Sequence, residues 1–175
     1  METKVIYLAG GCYWGVEKYM SSVKGVTKTT VGFANGKTEA PTYEQVLHED
    51  TGYAETVRVE YAPEAIALPV LLQLFYKIID PAAGLPEGEE TGYQYRNGVY
   101  YTSEEDEKVV LASREKLEKT SEKALTMETC PLEKFWPAEE YHQKYLDKNP
   151  TGYCHVPLPM IQWIKTVDPK DYPVE

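Results

Sequence analysis

The sequence is poor in cysteine, histidine, phenylalanine and clustered positive charge, and each shortage excludes something. Three cysteines, Cys12, Cys130 and Cys154, are too few and too odd in number for a disulfide scaffold. None of them pairs at zinc-finger spacing, and His48, His142 and His155 are scattered, so neither a metal nor a cofactor is expected. No Lys/Arg-rich block relieves a formal net charge of -10, which argues against nucleic acid and anionic membranes as partners. No apolar run approaches the roughly 20 residues of a membrane span. The Met-Glu-Thr-Lys start lacks the charged-then-apolar pattern of a secretory signal. The expectation is a cytoplasmic, monomeric protein with reduced thiols. No internal repeat, low-complexity segment or linker divides the 175 residues. One domain over 1–175 is expected, with 155–175 a surface-wrapping tail.

What the chain does have is tyrosine, 15 residues against 3 phenylalanines. Many of its rings can therefore carry a working hydroxyl as well as apolar surface. It also has Gly10-Gly11-Cys12-Tyr13-Trp14-Gly15, between an apolar run (Val5–Ala9) that reads as a strand and a helical pattern that follows. Backbone N–H groups at a helix start favour an anion, so a thiol there is expected to have a lowered pKa. The glycines leave room for close approach to the sulfur, and Tyr13 and Trp14 offer an apolar wall. Packing cysteines are common, but they do not require a glycine-rich turn. Without a Lys-Ser/Thr ending, a phosphate loop is a poor match.

Strands are predicted at Lys4–Ala9, Val26–Ala34, Ala54–Tyr61, Gly98–Thr102 and Ala124–Cys130. Helices are predicted at Tyr13–Lys24 (closed by Gly25), Tyr43–His48, Pro69–Ile79, 104–119 and Ala138–Lys148. Thr42 and Gln45 match a capping box, and Ser103 caps the charged helix after it. Residues 82–94 form a Gly- and Glu-rich loop too long for a simple connector, hence a candidate for function. Asn149–Cys154 is a turn presenting a second cysteine, and Met160–Ile164 is an apolar knot in the tail. Intermixed strands and helices point to an α+β or α/β two-layer sandwich.

Alternation in Ala54–Tyr61 puts Glu55 on the side of Val57, Val59 and Tyr61. Periodicity alone leaves two readings for it. Either a core-facing carboxyl is kept partly protonated by burial, which suits a proton donor, or the strand end frays and Glu55 faces solvent. Tyr43, taken alone, reads as a surface tyrosine on a first helical turn. An acyl-transfer enzyme pairing Cys12 with a histidine base is a competing reading, but no histidine has an orienting motif beside it.

Several blocks together resemble the peptide methionine sulfoxide reductase A family. Gly11-Cys12-Tyr13-Trp14-Gly15 is similar to its Gly-Cys-Phe-Trp-Gly signature. Further matches are Pro41-Thr42-Tyr43-Glu44-Gln45-Val46, Thr51-Gly52-Tyr53-Ala54-Glu55, Gln94-Tyr95-Arg96, the run Pro137 to Leu146, Lys148-Asn149-Pro150 and Gly152-Tyr153-Cys154. They occur in family order.

The resemblance implies a ferredoxin-like core with a rolled mixed sheet and long surface coils. It implies reduction of the S epimer of methionine sulfoxide, free or in proteins, with thioredoxin as reductant. By position, Cys12 would be the nucleophile and Cys154 the resolving cysteine. Glu55 would be the acid at the sulfoxide oxygen, with Tyr43 and Tyr95 donating to that oxygen. Tyr13 and Trp14 would hold the ε-methyl, with Tyr145 and Tyr153 nearby. Two departures stand out. Tyr13 replaces the usual Phe, so a tight apolar pocket must turn its hydroxyl outward or bond it. Glu90 replaces an aspartate associated with the site. No cysteine follows Cys154, so the reductant is expected to act directly on a Cys12–Cys154 disulfide. Cys130 matches no family position and reads as a packing residue or a back-up thiol.

Overall fold

A computed structural model describes residues 2–82 and 93–172. The 82–94 loop and Glu90 therefore fall almost wholly outside the described residues. A six-stranded sheet has the order β5-β4-β1-β3-β2-β6, formed by β1 (Lys4–Gly10), β2 (Val26–Ala34), β3 (Ala54–Tyr61), β4 (Asn97–Tyr101), β5 (Glu128–Pro131) and β6 (Phe135–Pro137). All pairs are antiparallel except β4–β5, so the sheet is mixed. Helix α1 (Tyr13–Ser21) links β1 to β2, and α3 (Leu68–Tyr76) links β3 to β4. With the central order β4-β1-β3-β2 this is the split βαβ arrangement of ferredoxin-like folds, as the sequence led us to expect.

Alternation along the strands assigns the faces. Ile6, Leu8, Val31, Phe33, Val57 and Val59 point into one core with Val16, Tyr19 and Met20 of α1 and Val70, Leu71, Leu74 and Phe75 of α3. The Tyr19 hydroxyl donates to the Leu74 carbonyl at 2.7 Å, joining the two helices. Among the described residues the opposite face carries a small buried cluster, Ala9, Ala34, Ala54 and Tyr100. Helix α4 (Glu104–Thr120), capped by Ser103 accepting from Asp106 N–H at 3.1 Å, packs on α3 and sends Val110 into the main core.

Several predicted elements have other bounds; α3, for one, stops at Tyr76 and not at Ile79. Helix α1 stops at Ser21, three residues short, because Ser21 and Ser22 hydroxyls donate back to the Lys18 carbonyl and compete with the backbone. Gly25 then turns the chain at φ +103°, where a Cβ would also strike Ile66. Strand β5 begins at Glu128, not Ala124; Thr126 and Met127 N–H instead donate to the Pro81 carbonyl.

The predicted helix over 138–148 is broken. A 3-10 turn at Glu140–His142 and a short helix α5 (Tyr145–Lys148) flank Gln143 and Lys144. The Gln143 amide bonds both N–H and C=O of Val31 at 2.9 Å, standing in for a strand residue beyond β6. Lys144 adopts φ +55°, and its N–H donates to buried Glu17 at 2.7 Å. Tertiary partners thus overrode a helical local pattern. After Cys154 the chain forms α6 (Leu158–Ile164), whose Ile161 and Ile164 are buried in the main core against α1.

Candidate active site

Cys12 ends the β1 turn and is the N-cap residue of α1. Backbone N–H groups of Trp14 and Gly15 point at its sulfur and lower its pKa, as the sequence suggested, but burial and then the nearby Glu55 charge outweigh them. The thiol is pushed up to about 12. The expectation of a lowered thiol pKa is therefore corrected: helix-end donors are too weak to offset desolvation beside a carboxyl.

Glu55 settles on the core face, opposite Phe33 in the β2–β3 register and 1% exposed. Its Oε1 accepts the Tyr13 N–H at 3.2 Å, while Oε2 is buried with no hydrogen-bond partner among the described residues. Burial raises its pKa to about 8 against the opposing effect of that one N–H. At neutral pH the site therefore holds a thiol and a carboxylic acid side by side.

Above them lies an open cleft of about 480 Å³ lined by Cys12, Trp14, Tyr43, Tyr95, Tyr153 and His155 together with Gly11. Tyr43 is carried on the first turn of α2 (Tyr43–His48), whose capping box between Thr42 and Gln45 is formed as read from the sequence. Its N–H also donates to Glu139 at 3.2 Å. The Tyr43 and Tyr95 hydroxyls face one another, and both are held protonated, first by burial and then by Glu55. Tyr95 sits in a 3-10 turn, Tyr93–Tyr95, fixed by Arg96. The Arg96 guanidinium donates to Glu128 at 2.8 Å, to the Tyr93 carbonyl at 3.1 Å and to the Gly52 carbonyl at 2.9 Å. It thereby joins the Tyr95 turn to the segment that leads into β3, the strand that carries Glu55.

Trp14 forms the apolar wall. Tyr145 stacks flat on it, centroids 3.8 Å apart at 9°, and its indole N–H donates to Nδ1 of buried His142 at 3.1 Å. Glu17, buried on the next turn of α1, holds Lys144 N–H and the Thr29 hydroxyl, which seats the Tyr145 segment against the helix. Tyr13 does not join the cleft lining. It is fully buried, with ring centroids 6.2 Å from Tyr43 and 5.6 Å from His142, and its hydroxyl neither turns outward nor finds a partner among the described residues.

Cys154 is a free thiol that donates to the Val156 carbonyl at 3.3 Å. It lies against α1: a Cβ built on Gly15 would be 3.2 Å from its sulfur. The same Cβ would be 3.0 Å from His155 Nδ1, and one on Gly11, at φ +93°, would be 3.2 Å from His155 Nε2. The glycines flanking Cys12 thus make room for His155, not only for a ligand. Cys130 is remote from this cluster, beside Asn35 at 3.8 Å and packed with the small opposite-face core. No group of three or more metal-ligating side chains occurs among the described residues.

Arg96, Glu17, His142 and His155 have roles that sequence reading missed. For Glu17 the available signal was a charged residue on the apolar side of a helix. For the others the partners are distant in sequence.

The family model described as Peptide methionine sulfoxide reductase matches residues 4–169. The chain is 48% identical over 159 residues to Peptide methionine sulfoxide reductase MsrA of Clostridium acetobutylicum, covering 91% of this chain and 98% of that one. It is similar in structure to reduced Mxr1 of Saccharomyces cerevisiae, at TM-score 0.78 and 35% identity over 87% of this chain and 89% of that one. It is likewise similar to methionine sulfoxide reductase A of Corynebacterium diphtheriae, at TM-score 0.77 and 36% identity over 87% and 77% of the two chains. Matched over nearly its whole length in sequence and in fold, the chain belongs to the peptide methionine sulfoxide reductase family.

Proposed function

We propose that this protein reduces the S epimer of methionine sulfoxide, free or in proteins, with Cys12 as nucleophile and Cys154 as resolving cysteine. The observation that carries the reading is Glu55 Oε2: a buried oxygen of a neutral carboxylic acid, without a hydrogen-bond partner among the described residues, near the Cys12 thiol. A sulfoxide oxygen placed there accepts the Glu55 proton, and the sulfur becomes electrophilic. Tyr43 and Tyr95 add hydroxyl donors to the same oxygen. The substrate methyl group lies on the Trp14 face, which Tyr145 stiffens from behind and Tyr13 supports from within. Tyr153, 64% exposed at the rim, contacts the rest of the substrate. Sulfur at Cys12, oxygen at Glu55 and methyl at Trp14 are three unlike environments, so one hand of the sulfoxide fits. The S hand is the family's.

Glu55 then takes the Cys12 proton as Cys12 attacks sulfur. The attack gives an adduct with a new S–S bond and the hydroxyl on the methionine sulfur. The hydroxyl passes to Cys12 sulfur as the S–O and S–S bonds to the methionine sulfur break, so methionine leaves and Cys12 carries the oxygen as a sulfenic acid. The proton has passed from sulfur to oxygen through the carboxyl, so neither a bare thiolate nor a bare carboxylate accumulates in a buried site. Cys154 condenses with the sulfenic acid, releasing water and forming a disulfide. An external dithiol restores both thiols, and thioredoxin is the proposed reductant, as the family resemblance implies.

The test is turnover of each epimer with dithiothreitol and then with thioredoxin. Reduction of the S epimer alone is expected; no turnover of it would sink the reading. Cys12→Ser should abolish activity. Cys154→Ser should release one methionine per enzyme and fail with thioredoxin, whereas full thioredoxin turnover would transfer the resolving role to Cys130.

A further inference from the structure

His155 follows the resolving cysteine and enters the wall of the cleft. Its Nε2 lies 2.9 Å from the Gly10 carbonyl. A carbonyl can only accept, so Nε2 carries the proton. Burial lowers the pKa of the ring and keeps it neutral, so Nδ1 bears the lone pair. That nitrogen is buried and has no hydrogen-bond partner among the described residues. It shares one small space with both cysteines. Gly15 gives its N–H to Cys12, and its α-carbon faces His155 Nδ1 and Cys154 sulfur together.

We propose that His155 is the base of the resolving step, accepting the Cys154 proton through Nδ1 as Cys154 attacks the sulfenic acid of Cys12. In the reduced enzyme that proton is given to the Val156 carbonyl. Moving Cys154 onto Cys12 breaks this hydrogen bond, and a peptide carbonyl cannot take the proton. A neutral imidazole fixed by Gly10 can. The S–H bond of Cys154 breaks, its electron pair forms the S–S bond, and the S–O bond of Cys12 breaks. The proton held on Nδ1 passes to the departing hydroxide, so water leaves and His155 returns to neutral. Cys12 sulfur is reduced and Cys154 sulfur oxidised, with no other reactant required. Gly11 and Gly15 are small on both sides of Cys12 because the ring lies against them.

The inference rests on the two-cysteine reading above, but its test does not need methionine sulfoxide. The Cys12 sulfenic acid is generated in one arm with the sulfoxide and in another with hydrogen peroxide. Decay of dimedone-trappable sulfenic acid and loss of free thiols then time the disulfide step. His155→Gln keeps a donor for Gly10 and removes the base. It should slow the disulfide step at least tenfold more than it slows methionine release, in keeping with the effect of a positioned base. Its rate should then rise with pH, because hydroxide must take the proton that His155 no longer accepts. Wild type should be flat across pH 7–8.5. His155→Ala, which also loses the Gly10 anchor, should be no faster than His155→Gln. An unchanged disulfide rate in His155→Gln, or equal slowing of both steps, would overturn the proposal. So would a wild-type disulfide rate climbing tenfold per pH unit through 7–8.5, which needs no variant. If the peroxide arm behaves as expected while the sulfoxide arm yields no methionine, the reductase reading fails and the role of His155 stands.

Discussion

The Tyr13 N–H donates to Glu55 Oε1 at 3.2 Å, and the other carboxyl oxygen of Glu55 has no partner among the described residues. One N–H steers the carboxyl toward Cys12 without supplying enough hydrogen bonding to keep it ionised. A second buried donor would have stabilised the carboxylate and cost the site its acid.

The pH dependence of methionine release should follow from this. With Glu55 titrating at about 8, the acid form dominates below that pH and the carboxylate above it. The single-turnover rate at subsaturating sulfoxide should be nearly level from pH 6 to 7.5 and fall about tenfold per unit well above 8. Stopped-flow quench over pH 6–10 reads it. Glu55→Gln should lack the limb near 8 and be slower by about 10²–10⁴.

Glu55 also makes stability depend on pH. Its folded pKa, about 8, lies above the unfolded value of 4.5, so between these the folded state holds a proton that the unfolded state has lost. Its contribution is fully present below about 4.5 and is lost as pH rises through 8. Urea unfolding at pH 5 and pH 8 should show Glu55→Gln gaining on wild type by up to about 4 kcal/mol across that range. A constant difference between the two proteins would contradict the burial of an acid at this position.

Tyr13→Phe should stabilise the protein. The hydroxyl is buried with no hydrogen-bond partner among the described residues, and such a group costs about 1–3 kcal/mol. Removing one oxygen leaves a space too small to matter beside that gain. Thermal unfolding should show a higher midpoint, and a lower one would reveal a partner for the hydroxyl.

Arg96→Lys should separate Tyr95 from Glu55. Lysine can keep the charge opposite Glu128 but not the forked contacts to the Tyr93 and Gly52 carbonyls. Stability should drop by about 1–3 kcal/mol, since two part-buried carbonyls lose a charged donor. Methionine release should slow beyond what the unfolded fraction explains, as read by single turnover under fully folding conditions. Loss of stability with an unaltered rate would mean that Tyr95 is held by other contacts.

The elements that local chemistry specifies were legible before any coordinates. Strand β2 has the bounds that its Thr and Val content predicted, β3 those that alternation predicted, and Thr42 with Gln45 marked α2. The 138–148 segment was misread because its helical spacing is real, but Gln143 finds a better partner in Val31, far away in sequence. Strand β6, three residues long, carries too little pattern to be seen by itself.

By itself the sequence determined the chemistry on offer: a cysteine in a glycine-lined strand-to-helix turn, a carboxyl of core parity, two tyrosines and a second cysteine. Parity, turn residues and caps are local properties, and they survive folding. Tertiary structure decided how those groups are charged. Burial, which no local pattern reports, holds Cys12 as a thiol and Glu55 as an acid against the helix-end donors that favour a thiolate. It also brought His155 back to the turn between Gly11 and Gly15, a placement fixed only when the end of the chain packs against its beginning.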